Sequence, residues 1–391
     1  MSDAPFPAPR MGEPYLLTPG PLTTAFRVKE AMLRDWGSWD ADFRAMTKSL
    51  CDQLVALAGD TEGEFACVPM QGSGSYCVEA MLGSFVPHDG KVLVLANGAY
   101  GLRAAETMRY IGRAYRLIDK GDYMPPRGDE VAAALDADPA ITHVIAIHCE
   151  TSSGILNPVA EISEAVYSRG RKLLVDSMSA FGAVDLTGIH YDAMVSSANK
   201  CIEGVPGFGF VIARKTELLA SKGNCHSLSL DVHAQWANMV KSGQWRYTPP
   251  THVVAAFLEA LRLHHEEGGV AARGARYARN RDVMVSGMRE LGFETLLKDR
   301  WLSPIIVTFF CPADPNFVFP RFYDLMKSKG FIIYPGKLTV VDSFRIGLIG
   351  RMDEHVMRRV VAAAGECLAE MGVTSAAPPA AALAERAKLA A

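Results

Sequence analysis

The sequence predicts an α/β protein, with a large domain built on a mainly parallel sheet and a smaller C-terminal domain of α+β type. Between about residues 45 and 215, segments with helical spacing alternate with short apolar runs of strand length. Such alternation is typical of a parallel sheet that helices cover on both faces. The pair Gly268 and Gly269 ends this pattern, and a different arrangement begins beyond it. We therefore expect two domains in this chain of 391 residues.

The larger domain alternates regularly between the two types of element. Helical spacing is found in MTKSLCDQLVALAG (46–59) and YCVEAMLGSFV (76–86). Other apolar runs are too short for helices and therefore predict strands. The predicted strands are KVLVLAN (91–97), THVIAIHCE (142–150), KLLVDS (172–177), AMVSSAN (193–199) and FGFVIA (208–213).

The smaller domain begins with a long predicted helix, ARYARNRDVMVSGMRELGF (275–293). Short apolar strands and two further helices follow it, as in a compact α+β unit. These segments are WLSPIIVTFF (301–310), RFYDLMKSKG (321–330), FIIYPG (331–336), SFRIGLIG (343–350) and HVMRRVVAAAGECLAEM (355–371).

The domain boundaries are expected where these patterns change. Residues 1–21 should pack near the domain junction, 22–268 should form the large domain, and 269–373 the small one. The stretch 374–391 is rich in alanine and proline and low in complexity, so we expect a disordered tail, with a docking helix as the alternative.

Composition narrows the classes of function. The net charge is −3, with 40 basic and 43 acidic residues well mixed, so no basic stripe indicates a nucleic-acid or anionic-membrane partner. The eight cysteines form no CxxC pair and the histidines no HExxH motif, which favours free thiols and no metal site. The sequence begins without the pattern of a signal peptide and contains no apolar run of about 18 residues. A cytoplasmic protein that acts on small molecules is the resulting expectation.

Several predicted strands end in unusually polar stretches. These are NGAYG (97–101), HCETSSG (148–154), DSMSAFG (176–182) and SSANK (196–200). A fifth stretch, QGSGSYCVEA (71–80), brings glycines and two hydroxyls to the start of a predicted helix. Ligands bind outside the carboxyl ends of the strands in an open parallel sheet, so the sequence predicts one polar pocket at that edge.

The stretch 71–80 has the features of an anion site. Backbone N–H groups around Gly74, the hydroxyls of Ser73 and Ser75, and the helix dipole would all favour a phosphate. The alternative is an ordinary serine N-cap. Because Val78 stands three positions after Ser75, no capping box occupies that hydroxyl.

An aspartate and a lysine end neighbouring strands. Asp176 closes an apolar strand, where an unpaired carboxylate is costly to bury. Lys200 lies at the next strand end, beside Asn199, although most lysines are simply solvated surface groups. A phosphate anchor, a buried carboxylate and a lysine at one sheet edge together fit pyridoxal 5′-phosphate, with Tyr100 placed to cover the ring.

The chain resembles the class V, fold-type I aminotransferases, and among them most closely those that act on 2-aminoethylphosphonate and pyruvate. The resemblance covers roughly residues 14–370. Departures are mild, since Ser75 stands where a threonine is expected and ETSSG replaces a threonine-richer version. The most specific matching stretches are LLTPGPLTT (16–24), ETSSGILNP (150–158), SSANKCIEGVPGFGFVIA (196–213) and YPGKLTVVDSFRIGLIG (334–350).

The resemblance implies a mainly parallel sheet of seven strands, pyridoxal 5′-phosphate as cofactor, and a role for each matching residue. Lys200 would form the Schiff base and carry the proton, Asp176 would pair with the pyridine nitrogen, and Thr151 would hydrogen-bond near the ring. The phosphate would be held by Ser73, Gly74 and Ser75, helped by Asn199 and Thr248.

The resemblance also implies a homodimer and a reaction. The counterpart of Thr248 comes from the neighbouring subunit, so the active sites would be shared. Arg345 would grip the acidic end of the substrate. The implied reaction is transamination of 2-aminoethylphosphonate with pyruvate, giving phosphonoacetaldehyde and L-alanine. A serine- or alanine:glyoxylate-type aminotransferase is the alternative on the same scaffold, followed by a non-catalytic regulatory protein that binds the cofactor.

Overall fold

The computed structural model describes residues 8–337 and 341–389 of the chain. The expectations for residues 1–7 at the N-terminus and 390–391 at the C-terminus lie outside the described residues. Two parts of the fold position the functional site: a seven-stranded sheet and a smaller unit that follows it in the chain.

The strands alternate with helices as the sequence predicts. The strands are β1 Tyr15–Leu16, β2 Phe65–Gln71, β3 Lys91–Ala96, β4 Ala114–Asp119, β5 Ile141–Ile147, β6 Cys149–Glu150, β7 Ile155–Leu156, β8 Lys172–Asp176, β9 Ala193–Ser197, β10 Phe208–Arg214, β11 Ile306–Phe310, β12 Phe331–Ile332, β13 Tyr334–Pro335 and β14 Ser343–Gly347. The α-helices are α1 Phe26–Glu30, α2 Ala41–Leu57, α3 Gly74–Phe85, α4 Ala99–Tyr110, α5 Gly128–Ala137, α6 Val159–Tyr167, α7 Lys215–Ala220, α8 Val232–Ser242, α9 Thr251–Glu267, α10 Gly269–Glu290, α11 Phe319–Ser328, α12 Glu354–Met371 and α13 Ala380–Leu389.

The central sheet has the strand order β2-β10-β9-β8-β5-β3-β4. Strands β3, β4, β5, β8 and β9 pair in parallel, whereas β10 runs antiparallel to both of its neighbours. The expected mainly parallel α/β architecture is therefore confirmed. The inner strands are buried on both faces, as their nearly continuous apolar sequences require. Their carboxyl ends open at one edge, where the polar stretches follow.

The second unit has its own antiparallel sheet, β11-β14-β13, and its own apolar core. The N-terminal segment joins this unit, because β1 pairs in parallel with β12 and Tyr15 belongs to its core. Gly268, with φ +108°, separates α9 from α10 at the place where the sequence pattern changes. We keep 22–268 and 269–373 as the proposed domain bounds.

The structure differs from the expectation at the C-terminus. Residues 374–391 were expected to be a disordered tail, but α13 forms there and packs on the second unit. Arg386 donates to the carbonyl oxygen of Thr295 at 2.6 Å and pairs with Glu294, while Ala382 is buried. An alanine-rich composition is typical of low-complexity segments, but alanine also has the highest helix propensity. The tertiary contacts of Arg386 and Ala382 favour the helix here.

The helices were also compared with the requirements of a membrane span. Within residues 8–337 and 341–389, none combines enough length with enough apolar character to cross a bilayer.

Candidate active site

The polar strand ends meet at one pocket. The predicted residues that line it are Gly74, Ser75, Tyr100, Thr151, Asp176 and Lys200. They come from the N-termini of α3 and α4 and from the segments after β6, β8 and β9. Five separate stretches therefore converge as a parallel sheet requires.

Lys200 lies in a tight turn after β9, which we call the Lys200 turn (residues 198–204). The N–H of Gly204 donates to the carbonyl oxygen of Ala198 at 2.9 Å and closes this turn. The Nζ of Lys200 donates to the carbonyl oxygen of Pro19 at 2.7 Å. Burial lowers the pKa of the amine to about 8, although the nearby thiols and Asp176 favour its charged form. A larger share of the amine is therefore neutral near physiological pH than for a free lysine.

Asp176 is buried at the end of β8. Burial raises the pKa of its carboxyl to about 6, opposed by the N–H of Met178, which donates to Oδ1 at 2.9 Å. Within the described residues, Oδ2 accepts no hydrogen bond. A buried carboxylate with one oxygen that accepts no hydrogen bond is stabilised by a cationic or N–H partner that enters the pocket.

The segment 73–75 starts α3, and its N-cap residue Ser73 makes no side-chain capping bond. A Cβ at Gly74 would come 2.4 Å from the Sδ of Met178, so any larger residue there would require the end of this methionine side chain to move. Ser73 and Ser75 are both exposed in the single chain. The phosphate end of the pocket is thus open, with its hydroxyls and N–H groups free of a capping role.

Tyr100 lines the pocket from the first turn of α4. Its N–H donates to the carboxylate of Glu150 at 3.0 Å, and the next N–H, of Gly101, donates to the same oxygen at 3.2 Å. The buried Glu150 therefore fixes the start of this helix and the place of the aromatic ring. Two cations flank the ring, since Arg103 lies 5.0 Å and Lys337 4.6 Å from its centroid.

Arg345 is buried in the middle of β14, and two carbonyl oxygens orient it. Its Nη1 donates to Thr151 at 2.9 Å and its Nε to Pro335 at 3.0 Å. Burial lowers the pKa of the guanidinium, which nevertheless remains charged. The bond to Thr151 links the second unit directly to the pocket, because Thr151 lines it.

Four predicted residues are not among those that line the pocket: Ser73 and Arg345, which are described above, and Asn199 and Thr248. Asn199 lies next to Lys200, where its Oδ1 accepts a hydrogen bond from the hydroxyl of Ser197 at 3.0 Å. Thr248 is exposed, and its carbonyl oxygen accepts a bond from the side chain of Gln71 at 2.9 Å. The roles of both residues stay predictions.

Sequence reasoning missed three residues of this region. Arg103 lines the pocket, and its Nη1 donates to the hydroxyl of Ser75 at 3.3 Å. A signal existed, because Arg103 stands three positions after Tyr100 and so shares its helix face. Lys337 and Glu150 both stand within stretches that match the family. Neither was singled out, because a lone lysine or glutamate carries no specific pattern.

A larger groove of about 820 Å³ lies between α2 and α8. None of the predicted site residues lines it, and most of its surface is apolar. Size alone therefore does not identify the site, and the converging polar groups point to the smaller pocket.

The pocket fits pyridoxal 5′-phosphate. The lysine with a lowered pKa is suited to an aldehyde, the buried aspartate to a protonated ring nitrogen, and the start of α3 to a phosphate. A Cβ at Gly20 would come 2.9 Å from the Nζ of Lys200, so glycine there leaves the amine room.

Comparison with known proteins agrees with this chemistry. The Aminotransferase class-V family model matches residues 75–312, more than half of the chain. The 2-aminoethylphosphonate–pyruvate transaminase of Rhizobium meliloti (strain 1021) is 78% identical over 383 residues, covering 97% of this chain and 100% of that protein. The enzyme of the same name from Pseudomonas aeruginosa is 52% identical over 362 residues, covering 92% and 97%.

The fold of this chain is also similar to the folds of solved structures. The pyridoxamine-pyruvate aminotransferase from Mesorhizobium loti superposes with a TM-score of 0.83, covering 97% of this chain and 98% of that one. At 22% sequence identity, this likeness concerns the fold alone. The family match and the curated relatives show that the chain belongs to the class V aminotransferases and uses pyridoxal 5′-phosphate as its cofactor, and the solved structures show that it has the fold-type I architecture.

Proposed function

We propose that this enzyme works in the cytoplasm and transfers the amino group of 2-aminoethylphosphonate to pyruvate, giving phosphonoacetaldehyde and L-alanine. The observation that carries the proposal is the pair of cations beside the pocket, Arg345 and Lys337. The positive charges of Arg345 and Lys337 lie near the same carboxylate, since each interacts electrostatically with the buried Glu150. The 78% identity to a 2-aminoethylphosphonate–pyruvate transaminase supports the same choice of donor.

The cofactor, when bound, supplies an aldehyde for the amine and a ring that withdraws electrons. We propose that Lys200 holds the aldehyde carbon and, once released by the donor, moves a proton from the donor carbon to the cofactor. Its lowered pKa supports this role, because a neutral amine accepts a proton at physiological pH. Asp176 keeps the ring nitrogen protonated, while Ser73, Gly74, Ser75 and Thr151 orient the cofactor.

The donor must be held by its phosphonate, because 2-aminoethylphosphonate has no carboxylate. A phosphonate can carry two negative charges, whereas a carboxylate carries one. Arg345 alone would suit either anion, since its fork matches any pair of oxygens. Lys337 supplies the second positive charge that the phosphonate can use. We therefore propose that Lys337 adds preference for the phosphonate donor.

An amine-donor screen tests the proposal. 2-Aminoethylphosphonate with pyruvate should be turned over much faster than L-serine or L-alanine with glyoxylate. Lys337→Gln should raise KM for 2-aminoethylphosphonate about tenfold, the effect of losing one charge-assisted contact, while KM for pyruvate changes less. Lys222→Gln, at an exposed lysine outside the pocket, is the matched control. Fast turnover of serine or alanine with glyoxylate, and none of the phosphonate, would instead indicate the glyoxylate-type enzyme.

We also propose that the enzyme is a homodimer in which Thr248 completes the partner's site. The support is that large exposed side chains surround the open phosphate end. The exposed Tyr76 follows Ser75 in the chain, and the exposed Tyr247 precedes Thr248, whose carbonyl oxygen accepts a hydrogen bond from Gln71. A second subunit would cover this surface and enclose the phosphate. Sedimentation of the purified enzyme should therefore give a dimer, and a monomer with full activity would contradict the proposal.

A further inference from the structure

A cluster of charged side chains, three of them buried, joins Glu203 of the Lys200 turn to the end of α9 and the start of α10. Glu203 accepts from Nη2 of Arg276 at 2.7 Å and lies 3.5 Å from Nη1 of Arg273. Glu267, at the end of α9, accepts from Arg273 at 2.9 Å and from Arg276 at 2.7 Å. Both arginines stand on the first turns of α10 and are buried, as is Glu203.

The backbone of the Lys200 turn depends on this cluster. Glu203 has φ +63°, the one non-glycine residue with a positive φ within residues 8–337 and 341–389. This conformation is unfavourable for a residue with a side chain and persists only where surrounding contacts impose it. Its N–H donates to the carbonyl oxygen of Lys200 at 2.7 Å, and Arg273 donates to the carbonyl oxygen of Cys201. The residue in the unusual conformation is therefore tied both to the lysine and to the arginines.

One of the two arginines, Arg276, also reaches the segment that follows Arg345. Nη1 of Arg276 donates to the carbonyl oxygens of Gly350 at 2.6 Å and Met352 at 2.7 Å. Tyr277 joins the two sides, since its hydroxyl donates to Glu203 at 2.6 Å and accepts from the N–H of Gly350 at 3.3 Å. Because β14 ends three residues before Gly350, the anchored segment leads directly out of the strand that carries Arg345.

Glu203 is charged at neutral pH. Burial alone would raise the pKa of its carboxyl, but the two arginines and Tyr277 reverse this and hold the pKa at about 2. A buried ion cluster contributes little net stability compared with apolar residues of similar size, so stability alone does not account for it.

We propose that Glu203 is a positioning residue that fixes the Lys200 turn against residues 350–352, the segment that follows the strand of Arg345. The amine that handles the proton and the guanidinium that holds the substrate anion then keep a constant separation. The proposal rests on the roles proposed above for Lys200 and Arg345. Geometry of this kind is valuable in catalysis, because a misplacement of about 1 Å can slow a reaction by about 100-fold.

The test compares two neutral variants that remove charge from the same cluster. Glu203→Gln removes the charge that ties the Lys200 turn to the two arginines, whereas Glu267 contacts the same arginines but lies outside that turn, so Glu267→Gln leaves the carboxylate of the turn intact. Apoenzyme of each variant is mixed with pyridoxal 5′-phosphate, and stopped-flow absorbance separates initial binding from covalent capture by Lys200. Steady-state kcat, KM and Tm are measured on the reconstituted enzymes.

Glu203→Gln should slow covalent capture and lower kcat about tenfold each, with initial cofactor binding unchanged and KM altered less than about twofold. Glu267→Gln should lower Tm to a similar extent while covalent capture and kcat stay near wild type. Glu203→Asp, which keeps the charge but shortens the side chain, should fall between wild type and Glu203→Gln. It also serves the comparison if Glu203→Gln does not fold.

Two results would overturn the inference: unchanged covalent capture in both Glu203 variants, or equal slowing in Glu267→Gln, which would reduce the cluster to general stability. Covalent capture is measured without any amine donor. A wrong assignment of 2-aminoethylphosphonate as donor would therefore leave this readout intact, and the two failures remain distinguishable.

Discussion

The two ends of the pocket differ in how completely a single chain builds them. At the reactive end, Asp176 and Lys200 are enclosed, and burial moves both pKa values towards neutrality, to about 6 and about 8. At the phosphate end, Ser73 and Ser75 are exposed and Thr248 stands outside the lining. The chain alone therefore supplies the environment for the chemistry but leaves its anion anchor open.

This difference follows from what each end must do. Shifting a pKa requires that water be excluded, which buried strand ends of a sheet provide. Anchoring a phosphate requires only N–H groups and hydroxyls, and a helix start offers these at the surface. We infer that the reactive end is set by folding and the phosphate end by assembly. Substitutions at each end of the pocket test this inference.

Replacing Lys200 by alanine should abolish the function of the enclosed end. We expect kcat to fall about 10⁴-fold, because no other amine of the described residues lines the pocket to move the proton. Steady-state assays measure the loss, and borohydride reduction with peptide mapping should find the cofactor on residue 200 in the wild type only. Lys222→Ala, at an exposed lysine, is the control. Full turnover by Lys200→Ala would refute the assignment.

The enclosed end was also the part that sequence could predict. Asp176, Thr151 and Lys200 each follow an apolar strand, and parallel strands bring their carboxyl ends to one edge whatever their order. The order itself was not predictable, because β10 runs antiparallel between β2 and β9 through pairings distant in the chain. Local periodicity contains no information about such long-range partners.

Residues that act through tertiary contacts were missed for the same reason. Lys337 reaches the ring of Tyr100 from the second unit, and no spacing in the sequence joins the two. Glu203 was not singled out from the sequence, because its partners Arg273 and Arg276 are about 70 residues away. The helix α13 was only the alternative expectation for the C-terminal stretch, because contacts such as that of Arg386 with Thr295 stabilise it. Each miss is a contact that the chain makes only once it is folded.

A second prediction sharpens the comparison through the pH dependence of stability. Because the pKa of Asp176 is raised from 3.8 to about 6 in the folded apoenzyme, the folded state binds more protons than the unfolded state between these values. This group must therefore lower the free energy of unfolding as pH rises from about 4 to 6, by on the order of 3 kcal/mol.

Asp176→Asn should remove this contribution to the pH dependence of the free energy of unfolding. Denaturant unfolding of both apoenzymes should show the variant gaining stability over the wild type as pH rises from 4 to 6, with a constant difference above pH 7. Adding pyridoxal 5′-phosphate should reduce the loss in the wild type, since a protonated ring nitrogen gives the carboxylate a partner. Parallel stability curves for variant and wild-type apoenzyme would mean that the carboxyl is not in a desolvated site.

The smallest expected effect concerns the open end and decides whether assembly completes it. Thr248→Ala should weaken cofactor binding about fivefold, the value of one hydrogen bond of about 1 kcal/mol, with kcat at saturating cofactor unchanged. Thr216→Ala, at another exposed threonine, should leave the dissociation constant unaltered. If Thr248 serves the partner's site, unfolding and refolding a mixture of Thr248→Ala and Lys200→Ala subunits should create sites with wild-type affinity, because each mixed dimer has one pocket with both residues intact. If the mixture binds only with the weakened constant, Thr248 acts within its own chain, and the open end must be closed by another route.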